Sequence, residues 1–159
     1  MPNYNPSFQQ VAADYGLGLR VDRATASLPQ TTAANIFTIS GNVLVTAIIG
    51  EVTTVIQTQA NATKLKFTST SPGSTTDLCG TLDITAKAVG SLFSITGTLA
   101  TALKVTTNNL IVPADNLAHP GLVLGAGAIL LDCAASNTGS VSWSIWYVPL
   151  EDGAVIAAA

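Results

Sequence analysis

The chain has 159 residues, a length that suits one domain, and although 48% of it is apolar only 9% is charged, against about 25% in an ordinary soluble domain. Its six cations, Arg20, Arg23, Lys64, Lys66, Lys87 and Lys104, are scattered and the net charge is −3, so the electrostatic footprint of a DNA-, RNA- or anionic-membrane-binding protein is excluded. Intrinsic disorder is excluded as well, because it goes with low hydrophobicity or high net charge.

Residues 1–30 read as an extended arm. Pro2, Pro6 and Pro29 stand among Asn3, Asn5, Gln9 and Gln10, a composition that avoids a core. Inside the arm the pattern predicts one short helix over 7–15. Ser7 can cap with Gln10, Phe8, Val11, Ala12 and Tyr15 recur at helical spacing, and Gly16 is a natural stop. Two turns are not stable alone, so the helix needs a surface, and Phe8 and Tyr15 are its candidate contact residues.

From Asn35 the apolar period becomes two. Asn35 to Ser40 reads as a strand and Gly41-Asn42 as a turn. The run from Val43 to Gln57 puts Val43, Val45, Ala47 and Ile49 on one face and Leu44, Thr46 and Ile48 on the other, with Gly50 as the expected bulge or bend. Thr63 to Thr68 alternates, Leu65 and Phe67 inward and Lys64 and Lys66 outward, which suggests an edge strand protected by lysine. Ser69 to Thr76 is a loop with Pro72-Gly73 at its tip. Leu78–Thr85, Ser91–Thr96, Leu99–Thr106 and Leu122–Cys133 read as further strands, with a turn at 107–109, a short extended piece at 110–113 and a loop at 114–121 before the last of them.

Val141 to Leu150 closes the series. Val141, Trp143, Ile145 and Tyr147 share one face, and Ser142, Ser144, Trp146 and Val148 the other. One tryptophan is thus expected in the core and Trp146 at an interface, where tryptophan is a common hot spot. The tail over 151–159 ends in Ala154-Val-Ile-Ala-Ala-Ala159, apolar and uncharged, so Val155 and Ile156 are expected against a neighbour. Many short strands with Gly/Asn/Ser turns predict an all-β single domain, a β-sandwich or jelly roll over 31–150, flanked by the arm and the tail.

Chemistry finds little to work with. His119 is the single histidine, in a loop without a nucleophile motif, and the adjacent acids Glu151-Asp152 stand where a strand exits. One histidine and the distant cysteines Cys79 and Cys133 match no metal-site spacing. Gly16-Leu-Gly18 and Gly125-Ala-Gly127 lack the context of a nucleotide loop, and Asn61-Ala-Thr63 is a glycosylation triplet only by its letters. No catalytic residue, cofactor or metal site is expected, and the protein is read as not an enzyme. The N-terminal stretch carries neither the basic nor the apolar region of a signal peptide, and the longest uncharged apolar stretch is too short to span a bilayer. Synthesis in a cytoplasm is therefore expected, with no membrane partner; Cys79 and Cys133 could pair or stay buried thiols, and a reducing compartment favours the free thiols. Interface cores are depleted of charge, so so few charges suit a subunit covered by neighbours. A free secreted β-domain with a Thr-rich face stays open as the alternative.

Val43 to Thr58, Asp77-Leu-Cys-Gly-Thr-Leu-Asp-Ile-Thr85 and Cys133-Ala-Ala-Ser-Asn-Thr-Gly-Ser140 resemble segments of small virion proteins of tailed bacteriophages. The resemblance covers about residues 20–152 and rests on structural motifs. It implies a head decoration (cement) protein, a β-rich unit that binds the major capsid protein lattice at the capsid surface and often trimerises, made in the host cytoplasm. A tail or neck component, or a glycan- or host-binding module using Trp146, Tyr147 and the 69–76 loop, remain the alternatives.

Overall fold

A computed structural model describes residues 18–96, 99, 101–106 and 121–159, with the backbone alone for 104–106. The first sheet contains β1 (Leu19–Ser27), β11 (Ser140–Pro149), β3 (Val43–Thr54), β7 (Leu92–Ser94) and β8 (Lys104–Thr106) in that order, with β9 (Leu122–Leu124) also on β3. The second runs β12 (Val155–Ala158), β2 (Ala33–Ser40), β10 (Gly127–Cys133), β4 (Ala62–Ser69) and β5 (Thr75–Asp77), with β6 (Leu82–Asp83) also on β4. Every strand pairing is antiparallel. The inward residues of both sheets merge into one hydrophobic cluster, which includes Val45, Ile48, Trp143 and Ile145 from the first and Phe37, Leu65, Ile129 and Leu131 from the second. The fold is an all-β sandwich, as the strand and turn spacing implies.

β11 alternates as its sequence predicts, with Val141, Trp143, Ile145 and Tyr147 buried and the residues between them half-buried. β3 departs from strict alternation. Trp146 stands opposite Ala47 and Tyr147 opposite Val45, so Thr46 is the extra residue of a bulge. That shift inverts the faces beyond it: Ile48, Gly50 and Val52 point inward, and Ala47 and Ile49 outward. Gly50 is therefore not the bulge. It stands opposite both Trp143 of β11 and Phe93 of β7, and its missing side chain lets the two rings meet over it, centroids 6.5 Å apart.

Five other sequence expectations are revised. Residues 19–27, read as part of the arm, are β1, because Leu19 and Val21 pack on the core while the strand pairs with β11. β4 is no edge: β10 flanks one side and β5 and β6 the other, and its lysines are tied, Lys64 to Asp77 at 2.7 Å and Lys66 to Asp132 at 2.6 Å. Leu122–Cys133 is two strands, β9 in the first sheet and β10 in the second, with the chain crossing at Gly125-Ala126. Leu78–Thr85 keeps only β6, since Leu78, Cys79 and Ile84 all turn into the core and strict alternation is lost. The expected tail is β12, hydrogen-bonded to β2.

Candidate interaction surface

The outward face of the first sheet brings together the residues a partner could contact. The β1–β11–β3 register aligns Arg20, Trp146 and Ala47 in one row and Asp22, Ser144 and Ile49 in the next. A third row holds Val148, Leu44 and Val123, the last 66% exposed. The polar rim orders itself. Arg20 Nε donates to Asp22 Oδ1 at 2.7 Å, Arg20 Nη2 to Ser144 Oγ at 3.3 Å, and Ser144 Oγ to Asp22 Oδ1 at 2.6 Å. The Ser144 hydroxyl, and then Arg20, hold the Asp22 carboxyl below its usual range. Both ions are more than half exposed, so this pair orders the rim and adds little stability.

Arg20 also covers the Trp146 ring, its guanidinium carbon 5.2 Å from the ring centroid. The indole thus carries a cation over its ring and stands across from half-buried Ala47, with half-buried Ile49 in the next row. A sugar stacking on that ring face would have to displace Arg20. Tyr147, the second candidate for sugar reading, is buried in the core.

The other sequence candidates are dispersed. Phe8, Tyr15 and His119 lie outside the described residues. Val155 is 46% exposed on β12, whereas Ile156 is 2% exposed and belongs to the chain's own core, because alternation along an edge strand turns one neighbour in and the next out. Cys79 and Cys133 are buried free thiols. Burial pushes both thiols up; the Leu65 backbone N–H opposes this at Cys79 and the Thr63 hydroxyl at Cys133. Glu151, exposed where β11 exits, accepts from Asn42 N at 2.8 Å and Nδ2 at 3.1 Å, and so ties the β2–β3 turn to the segment before β12.

Sequence reasoning missed Asn61. It is 1% exposed, its amide donates to Ala135 O and accepts from Ala135 N–H, both at 3.1 Å, and its own N–H donates to Asp83 Oδ1 at 2.9 Å. An asparagine so enclosed is a strut and not a sugar acceptor. A hollow of about 50 Å³ beside the β1 bulge is lined by Arg23, Pro29, Ile36 and Trp143, room for a few waters and not for a substrate. Among the described residues no group of three or more His, Cys, Asp or Glu could hold a metal. Among them, too, no helix is long and apolar enough to cross a membrane.

No family model matches the chain, and no curated protein matches it. A solved structure of infectious bursal disease virus Gx strain is similar over 87% of this chain and 33% of that chain, at 12% identity and a TM-score of 0.24. This chain thus spans about a third of the other, and a likeness of that size establishes neither a shared fold nor a shared role.

Proposed function

We propose that the protein is a structural subunit of a virion, a decoration or cement protein that binds the major capsid protein lattice and stabilises it. The observation that carries the reading is the outward face of the first sheet: an apolar patch around Trp146, held by a small ordered ion cluster, on a chain with few other charges. Burying such patches of roughly 800 Å² per partner at many copies would sum weak joints into a resistant shell. The trimer and the capsid-surface location come from the resemblance of the three sequence segments and are part of the proposal, as is the absence of enzymatic activity.

The test is binding of the purified chain to capsids that lack it. Saturation at a fixed stoichiometry, lost in Trp146→Ala and weakened in Arg20→Ala, is the expected result. Equal binding by the Trp146 variant would remove this face from the mechanism. A companion truncation should end at residue 17, because cutting to residue 20 would clip β1.

A further inference from the structure

We propose that β12 is a self-pairing edge: two copies of the chain join antiparallel through it about a two-fold axis and fuse their second sheets. Among the described strands β12 is hydrogen-bonded on one side only, to β2. Ala159 N–H donates to Ile36 O at 3.1 Å, and the unbroken register continues through Ala157 opposite Thr38 and Val155 opposite Ser40. In antiparallel alternation those three residues point their backbone groups at β2. Ile156 and Ala158 therefore point theirs away, and no described strand receives them.

Most of the other described strands of this kind carry charge: Arg20, Asp22 and Arg23 on β1, Asp77 on β5, Asp83 on β6 and Lys104 on β8, whereas β9, Leu-Val-Leu, is uncharged but only three residues long. Charge on an edge is how sheets refuse further strands. β12, Val-Ile-Ala-Ala, has none. It also matches itself. A two-fold at Ala157 sets Ile156 against Ala158 of the second copy and Ala158 against its Ile156, which satisfies all four outward groups of each strand at once. The residues that meet side by side, Ala157 with Ala157 and Val155 with Ala159, are small or apolar and fit the close spacing of non-hydrogen-bonded pairs.

The ends agree. Arg23 Nε donates to the Ala159 carbonyl at 3.0 Å, so β12 ends beside a cation. The same two-fold brings the other copy's exposed Asp152, three residues before Val155, toward that end. Opposite charges thus approach twice, once at each end. The joint does not depend on the virion reading. Within it, two-fold links of this kind would tie three-fold clusters into a closed net.

The experiment is sedimentation equilibrium of the full chain up to about 1 mM, on wild type, Ala158→Pro and Ala157→Lys. Proline at 158 removes a donor that faces away from β2, so the fold should survive, as circular dichroism will show. Lysine at 157 places like charges across the axis. The expected result is reversible pairing of whatever unit the chain forms, weakened at least tenfold in Kd by either substitution. Pairing unchanged in both variants, or no pairing at any concentration, overturns the proposal. A chain that never pairs yet binds capsids only with Ala158 intact would assign the edge to the capsid partner instead. Pairing without capsid binding would sink the virion reading and leave this one standing.

Discussion

Adding a single methyl group at Gly50 tests the packing at the centre of the first sheet. A Cβ there would stand 2.8, 2.8 and 2.9 Å from Cη2, Cζ3 and Cε3 of Trp143, well inside carbon–carbon contact at about 3.5–4.0 Å. Trp143 is 2% exposed and stacks on Phe93, so its ring has little room to retreat. Overpacking of this kind costs about 1–3 kcal/mol, whereas alanine in place of a strand glycine returns about 0.5–1 kcal/mol of chain entropy. Gly50→Ala should therefore destabilise the fold by about 1–2 kcal/mol, or roughly 2–8 °C in Tm for a domain of this size. Denaturant unfolding followed by tryptophan fluorescence measures it. Trp143→Phe takes away the outer ring atoms that clash, so in that background the Gly50→Ala penalty should fall toward zero or change sign. A Gly50→Ala variant as stable as wild type, or an equal penalty in both backgrounds, would refute the account.

Asn61→Ala should cost about 1–3 kcal/mol in equilibrium unfolding, since it takes the partner from the N–H and C=O of half-buried Ala135; Asn61→Asp restores only the acceptor and should recover part of that loss. Asp83 is held below its usual 3.8 by the Asn61 N–H first and then by the Thr85 hydroxyl and N–H. Its contribution is complete above pH 3.8 and lost as pH falls through the lower folded value. The unfolding midpoint should thus drop with acid, less steeply in Asp83→Asn, and parallel pH curves would contradict this. Both thiols titrate above their usual 9.0 because burial opposes the thiolate, so the native chain should resist a thiol reagent at pH 8 and react at two sites once denatured. Stability should also decline above about pH 9, where only the unfolded chain ionises them. Lys66→Ala should cost at most about 1 kcal/mol, a usual value for a partly exposed cross-strand ion pair, in the same denaturation assay.

How far the sequence could be followed depends on whether one residue's position was decided by its near neighbours. β11 could be read residue by residue because both of its faces obey a period of two without interruption. β3 could be read only to Thr46, because the bulge there is created by pairing with β11, a strand about a hundred residues away in the chain, and one extra residue inverts every face after it. The same limit explains β1 and β12. Their sequences look like arm and tail, and what makes them strands is an open sheet edge supplied by β11 and β2. Trp146 was accessible as an outward tryptophan, whereas its cover by Arg20 rests on β1 pairing with β11 in one particular register. Asn61 was hidden for a related reason: its value lies in Ala135 and Asp83, which only the fold brings to it.

The charge deficit means more once the charges have places. Lys64 and Lys66 are bound to Asp77 and Asp132 between strands of one sheet, Arg20 to Asp22, and Glu151 to Asn42. Arg23 fastens the end of β12 to β1, and Asp83 receives the Asn61 and Thr85 N–H groups. Most ions among the described residues are thus committed to ties within the chain, and few remain to hydrate its exterior. A surface carrying mixed free charge keeps a monomer apart from its neighbours. Two apolar stretches stand out among the described residues: the patch around Trp146 on one sheet, where Arg20 and Asp22 neutralise each other, and the β12 edge on the other. The two proposed joints would then use different groups, one side chains and the other backbone. It follows that substitutions at Trp146 and at Ala158 should act independently, each removing its own contact and leaving the other at full strength.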